Sequence, residues 1–484
     1  MIVPIVSTTP QHLVLVGACY MDTILDVPYY PHEDEKLRST KLLTRRGGNC
    51  GNALEVLQQL TPLGPQQQVP RLHLVAPLPE SDSSATQAIA ASFRGPENEG
   101  TPNYVERCDF SYSHARTVAA DAESDADADA EAKADADAHR VPLPLPLPLP
   151  RALPLLAPVD LSMCLYRGES QTAATSYVLR SAGSGSRTVV NYNELRDMTI
   201  DEFGRMAARI GQQSAQWWHF EGRIPDITHE CMLLLRRRLQ NATNLTISIE
   251  LEKPGRHGLK EASAAADVLF ISKSWAEARG HSSAGDCLLA EVAPGQLGFC
   301  TWGAQGACVY QCPLKDCDTD DFEIVRQCCK PVNAVIDTLG AGDTFIAAAL
   351  FGLGVCTQVQ MQTQAEVQSR SQSPRTGAAT HSPTASRASS LSSSITLTSQ
   401  LQNQRQLEQQ SRKSLSFSFS GSGSSGGCTA TGSSGYDRTV LQAVLDFAVA
   451  MATLKVQQEG FAGLVDREAR GLVQQLVDCL ARAS

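Results

Sequence analysis

The chain has 484 residues, with 41 Lys and Arg against 51 Asp and Glu and a formal net charge of −10. That balance argues against a nucleic-acid partner, whose phosphates a binding surface must neutralise, and nothing in it suggests a membrane surface. Fifteen cysteines, an odd number without a Cys-x-x-Cys pair in a chain too long to need disulfide staples, read as reduced thiols of a cytoplasmic protein. The densest group, Cys300, Cys308, Cys312, Cys317, Cys328 and Cys329, fits no zinc spacing. No apolar run reaches the ~18–20 residues of a transmembrane helix, and the apolar stretch 12–19 has the length of a strand rather than of a signal peptide.

In chain order, a short apolar strand at 13–17 is followed by two extended, β-branched or aromatic stretches at 23–30 and 37–46. Next come Gly47-Gly48-Asn49-Cys50-Gly51-Asn52-Ala53 and a helix over 52–60. Paired glycines allow a tight turn and close approach of a ligand. Asn49 and Asn52 supply amides that donate and accept, while Asp22 and Asp34 add acceptors for hydroxyl protons. A turn followed by an Asn49 helix cap is the plainer reading. A strand at 71–75 precedes a tract at 118–160, where alanine alternates with aspartate and then leucine with proline. The first half has too little apolar surface and too much like charge to fold, and the second favours an extended rod.

A further extended stretch, 172–192, completes a small sheet read as antiparallel and as a lid projecting from the main domain. Strands at 217–220, 245–251, 268–272 and 298–301 alternate with helices at 230–239 and 262–266. This alternation predicts an α/β fold with a mostly parallel sheet covered on both faces, and ligands in such sheets collect at the carboxyl ends of the strands. Glu221 and Arg223 follow one strand and are read as an ion pair on the floor of the site; Lys273 follows another. A second tract, 357–435, runs through Gln, Ser and Gly and is assigned no secondary structure. Without the two tracts roughly 360 residues remain, enough for one large domain.

The most specific stretch is Asp337-Thr338-Leu339-Gly340-Ala341-Gly342-Asp343-Thr344-Phe345, leading into an Ala-rich helix to about residue 350. Small residues at a helix start let backbone amides converge on an anion. Asp343 beside them suits a general base that takes a hydroxyl proton while the amides of Gly340, Ala341 and Gly342 hold charge on a phosphoryl group. An aspartate capping its helix is the alternative.

Asp337-Thr338-x-Gly340-Ala341-Gly342-Asp343 resembles the C-terminal signature of the PfkB (ribokinase-like) carbohydrate kinases, and Gly47 to Ala53 resembles their N-terminal Gly-Gly motif. Segments around Asp22, Asp34, Arg187, Glu221, Glu250 and Lys273 resemble, in order and spacing, the ketohexokinase branch of that family. The resemblance implies a three-layer α/β/α domain over 1–484 with a small β-sheet lid at 23–46 and 172–192, interrupted by the two tracts. It implies an ATP-dependent sugar kinase acting on a primary hydroxyl of a ketohexose such as fructose; ribose, a nucleoside or a sugar acid, or a non-catalytic sensor, are the alternatives. Asp22, Asp34, Gly48, Asn49, Asn52 and Asp343 would contact the sugar. Arg187, Lys273, Gly303, Ala304, Gln305, Gly306, Gly340 and Val456 would contact ATP. The family's Asn-x-x-Glu motif has no match at Lys273-Ser274-Trp275-Ala276-Glu277. Mg2+ is therefore expected to arrive on the nucleotide, without protein ligands. A homodimer through the lid sheet is implied too.

Overall fold

A computed structural model describes residues 9–65, 69–94, 156–168, 171–239, 244–313, 324–371 and 436–483. The chain divides into two units, Met1–Glu366 with Ser434–Ser484, and Val367–Ser433. The second lies outside the described residues apart from a helix end reaching Ser371.

The strand Gln216–Phe220 is buried at every position, as a parallel strand covered on both faces should be. It lies near the middle of a nine-stranded sheet. In spatial order the strands are Val325–Gln327, Ala307–Gln311, Leu297–Thr301, Val268–Ile271, Leu245–Leu251, Gln216–Phe220, His12–Val16, Arg71–Val75 and Val159–Asp160. Pairing is parallel from Val159–Asp160 to Leu297–Thr301 and antiparallel for the last two strands.

Alternate residues feed two cores. Leu13, Leu15, Leu72, Leu74, Trp217, Phe270 and Phe299 meet the helices Asn49–Leu60, Ala341–Ser371, Arg438–Lys455 and Arg467–Ala483. Val14, Val16, Trp218, Phe220, Ile247 and Ile249 meet Ile200–Ala207, Pro225–Arg238 and Ala284–Glu291 on the other face. The result is the expected three-layer α/β/α arrangement. An aromatic ladder runs across the first core: His219 against Phe270 edge-on at 5.6 Å, Phe270 stacked on Phe299 at 5.3 Å, and Phe299 edge-on to Phe345 at 6.1 Å. It fixes the helix that carries Asp343 to the sheet.

The lid is a four-stranded sheet in the order Lys41–Gly47, Tyr20–Val27, Thr175–Ser181, Arg187–Tyr192. The expectation of an antiparallel sheet needs correcting, because its two central strands pair in parallel. Both leave the same edge of the main sheet, so they run the same way. Its inner face presents Ile24, Leu43 and Val178, which pack on Leu339; its outer face exposes Leu42, Tyr177, Val190 and Tyr192.

Both tract boundaries also move. Ala157 is buried and its amide donates to the Gln58 carbonyl, and Val159–Asp160 extends the main sheet. The helix from Ala341 continues to Ser371, because Cys356 and Val359 still reach the core and Gln and Met are good helix formers. Its stretch Ala341–Thr363 is long and apolar enough to cross a membrane, with mean hydropathy 1.5, contrary to the reading of run lengths; 78% of the apolar window is buried, as in a core helix. Phe299 is fully buried between two rings, so Phe299→Ala should cost about 3–5 kcal/mol, read as a lower denaturant midpoint.

Candidate active site

The signature enters its helix through a strained turn. Gly340 has φ +79°, and a Cβ there would lie 2.1 Å from Cζ of Phe461, so only glycine lets that ring support the loop. The amide of Ala341 reaches the Thr338 carbonyl at a long 3.4 Å. Those of Gly340 and Gly342 have no partner among the described residues, as is usual at a helix start. Beneath them Asp337 is buried. Its Oδ2 accepts from Arg45 at 3.2 Å, Lys455 at 3.1 Å and the Gly460 amide at 3.3 Å, and its Oδ1 from the Leu339 amide at 2.9 Å. Burial alone would raise this carboxyl, but the Arg45 and Lys455 charges outweigh it and hold it below the ordinary carboxylate range. Lys455, fully buried, sits 5.1 Å above the Phe461 ring.

The front motif meets this loop directly. Gly48, at φ +92°, leaves no room for a side chain, since its Cβ would fall 2.4 Å from the Ala18 carbonyl oxygen. The helix Asn49–Leu60 then aims Asn52 at the signature, where its Nδ2 donates to Asp343 Oδ2 at 2.7 Å. Arg46, buried and ion-paired with Glu55, donates to Asn52 Oδ1 at 3.1 Å and so fixes which way the amide faces. Asn49 Nδ2 donates to Glu250 Oε2 at 2.8 Å and to Glu252 Oε2 at 3.1 Å.

Asp343 therefore stands in a nest of carboxyl groups. Glu221, whose Oε2 accepts from the Ala18 amide at 2.7 Å, is pushed up to about 7 by burial and by the Glu250 charge. Glu250 is pushed up to about 8 by burial and by Glu252. Asp343 is raised well above the carboxylate range by burial, then by Glu250, with Asn52 opposing. A base with a raised pKa accepts a proton from a hydroxyl more readily than an ordinary aspartate. Among the described residues no set of three or more His, Cys, Asp or Glu is arranged to hold a metal ion.

The other expected residues fall as follows. Asp22 is buried under Gly47, where a Cβ would lie 2.1 Å from its Oδ2, and burial raises its carboxyl. Asp34 is exposed, with φ +63°, and makes no hydrogen bond or ion pair with the cluster among the described residues, so the structure does not bring it to the site. Arg187 opens the second strand of the lid hairpin and its Nη1 donates to the Thr338 hydroxyl. Lys273 lies 5.6 Å above the Trp302 ring, beside the exposed turn of Gly303, Ala304 and Gln305. Gly306, at φ +93°, would meet the Gln327 carbonyl oxygen at 1.9 Å with a Cβ. Val456 is half-buried, and its carbonyl accepts from the Ile336 amide at 2.7 Å, next to the signature.

The ion pair expected between Glu221 and Arg223 does not form: Arg223 lies 5.3 Å over the Tyr20 ring, while Glu221 turns to Ala18. A cleft lined by Ala18, Cys19, Ala174, Leu195 and Arg223 adjoins the site, and Asp343 does not line it. Of the cysteine group, Cys317 lies outside the described residues, and the other five are free thiols.

Residues 157–354 match the pfkB family carbohydrate kinase. The resemblance to PfkB kinases holds. Ketohexokinase of Mus musculus is 28% identical over 211 residues, covering 42% of this chain and 65% of that relative, so just under two thirds of its length is spanned. The ribokinase of Giardia lamblia has the same fold, with a TM-score of 0.53, 13% identity, and coverage of 98% of this chain and 100% of that one. The ribokinase of Thermotoga maritima gives a TM-score of 0.49 at 11% identity, covering 97% and 99%. The PfkB match includes the signature but starts after the Gly-Gly motif; the Asn52–Asp343 hydrogen bond unites the two.

Sequence reading missed roles for Arg45, Arg46, His219, Glu250 and Lys455. The available signal was two glutamates, Glu250 and Glu252, at alternate positions at the end of the strand Leu245–Leu251 and just past it, which places both side chains toward one side.

The raised carboxyls also act on stability. Groups such as Glu221 at about 7 and Glu250 at about 8 keep in the folded state protons that the unfolded chain has already released. Their contribution is full below the ordinary carboxylate pKa and lost as pH rises through the folded values. Asp337 contributes with the opposite sign and only in acid. The Tm of ligand-free protein should fall between about pH 5 and about pH 8, and Glu250→Gln should flatten that slope. An unchanged slope in the variant would contradict the assignment.

Proposed function

We propose that the protein is an ATP-dependent sugar kinase that transfers the γ-phosphoryl group to a primary hydroxyl of a ketohexose, fructose first among them. The observation that carries this reading is Asp343, hydrogen-bonded to Asn52 of the Gly-Gly motif, at the start of a helix whose Gly340 and Gly342 amides have no partner among the described residues. Asp343 takes the hydroxyl proton as the sugar oxygen forms its bond to the γ-phosphorus and the bond to the β,γ-bridging oxygen breaks, releasing ADP. The amides of Gly340, Ala341 and Gly342 stabilise charge on the transferring group. Arg187 and Lys273, both exposed, orient the triphosphate. Trp302 and the turn from Gly303 to Gly306, with Val456 opposite, form the adenine slot. Mg2+ belongs to this reading as a partner of the triphosphate that keeps most of its water ligands.

Asp22, Gly48, Asn49 and Asn52 line the sugar side of this reading, and Asp34 joins it through movement of its loop. The reading makes the protein a cytoplasmic enzyme built on one interrupted kinase domain over residues 1–484, with neither nucleic acid nor membrane as a partner. It is also a homodimer through the outer face of the lid, where Leu42, Tyr177, Val190 and Tyr192 form an apolar patch.

Coupled ADP detection with fructose, ribose, nucleosides and sugar acids tests the substrate class. Asp343→Asn should lower kcat by a factor of about 10²–10⁴ while fructose and ATP still bind; turnover near the wild-type rate would refute the general base. Tyr177→Glu with Val190→Glu should halve the mass measured by light scattering, and a wild-type monomer would overturn the dimer.

A further inference from the structure

A chain of buried polar groups behind the site is used by none of the steps above. Trp217 Nε1 donates to Ser248 Oγ at 2.9 Å, Ser248 Oγ lies 2.9 Å from His219 Nδ1, and His219 Nε2 lies 3.1 Å from Glu250 Oε1. Ser248 and His219 are fully inaccessible, and Glu250 nearly so. The parallel register explains the meeting, since His219 pairs with Ser248 across neighbouring strands and Glu250 stands two residues further along.

Donor and acceptor roles follow from chemistry. The indole can only donate, so Ser248 Oγ accepts from it. His219 is kept neutral, pushed down to about 3 by burial, so one ring nitrogen donates and the other accepts. With Nδ1 accepting from Ser248, Nε2 donates to Glu250 Oε1; with Nδ1 donating to Ser248, Nε2 accepts from a protonated Glu250 Oε1. In either state Glu250 Oε2 accepts from Asn49. With Glu252 taking the second hydrogen, both hydrogens of Asn49 Nδ2 are engaged. An amide oxygen in that position would face two carboxyl groups, so the orientation is fixed. Asn49 Oδ1 has no partner among the described residues.

We propose that Trp217, Ser248, His219 and Glu250 form a positioning device that fixes Asn49 with its carbonyl oxygen toward the sugar, so that Asn49 reads one sugar hydroxyl solely as a donor. His219 and Ser248 touch no substrate; they act through Glu250 and Asn49. The inference rests on the sugar-kinase reading, and it narrows that reading to sugars that offer an O–H at this point.

The test compares wild type with Ser248→Ala and His219→Gln. The substrates are fructose and fructose analogues in which one ring hydroxyl at a time is replaced by fluorine, which accepts but cannot donate. Wild type should reject one fluoro analogue by about tenfold or more in kcat/KM, the scale of one hydrogen bond to substrate. Both variants should raise the fructose KM by about tenfold, leave the ATP KM within about twofold, and weaken that rejection. A purely structural role would lower Tm and the active fraction without separating the two KM values. Unchanged fructose KM and unchanged fluorine discrimination in folded variants, or equal changes in both KM values, would overturn the proposal. Ser248→Ala removes a single oxygen and carries the test if His219→Gln does not fold.

Wild-type activity decides the kinase reading separately. If the protein binds fructose without forming ADP, that reading fails and calorimetric sugar affinities replace KM. If it binds no sugar, both fall.

Discussion

The hydrogen bond from Asn52 to Asp343 joins residues 291 positions apart, and the rest of the site is arranged around it. It forms because both segments end at the same edge of one parallel sheet. The strand His12–Val16 leads through the lid to the Gly-Gly turn, and the signature helix packs over the same core face through Phe345. Along that edge the neighbouring strands deliver Glu221, Glu250 and then Lys273, with the Gly303 turn furthest out. Strand order thus lays out a gradient: acceptors and carboxyl groups at the centre, a lysine and an aromatic-flanked turn toward one side. This is the crevice outside the carboxyl ends of strands where ligands of open α/β sheets collect.

Charge follows the same gradient. Burial first, and then the mutual charges of Glu221, Glu250, Glu252 and Asp343, raise three of these four acidic side chains. Of the nearby cations, Arg46 is committed to Glu55 and Asn52, and Arg45 and Lys455 to Asp337, while Lys253 and Arg256 lower Glu250 without outweighing burial. Neutral amides from Asn49 and Asn52 therefore face the cluster. Amides orient carboxyl groups without discharging them, so the cluster keeps its appetite for protons. A fully ion-paired Asp343 would be a poorer base, held low as Asp337 is. The difference between the two aspartates of one signature lies in the stronger desolvation of Asp343 and in the charges beside each.

Much of this was legible in the residues. Short apolar runs closed by small or polar residues located most of the main-sheet strands within a residue or two, and the nonapeptide located Asp343 because its residue types serve one chemistry in combination. What depends on register was not legible. His219 reaches Glu250 only because two strands pair residue for residue across 31 positions of sequence, and nothing local to either announces the other. Arg45, Asp337 and Lys455 come from three distant segments, so their knot is equally silent. The continuation of the signature helix to Ser371 was masked by composition: glutamine-rich sequence resembles an unstructured tract, and only the burial of Cys356 and Val359 gives the helix a reason to continue.

The lid is bound to the signature by contacts of two kinds. Leu339 fits among Ile24, Leu43 and Val178, while Arg45 and Arg187 hold the two residues before it, Asp337 and Thr338. Arg180 and Lys41 extend the same inner face to Glu459, in the turn that follows the buried Lys455. A displacement of this sheet would carry Leu339, Asp337 and Thr338 with it, next to a Gly340 where the Phe461 ring leaves no room for a side chain. Packed interiors of this kind move between discrete arrangements rather than yielding gradually. The small sheet and the signature turn are therefore packed as one unit, with Arg187 bonded to Thr338 and Arg45 to Asp337 within a few residues of the Gly340 and Gly342 amides.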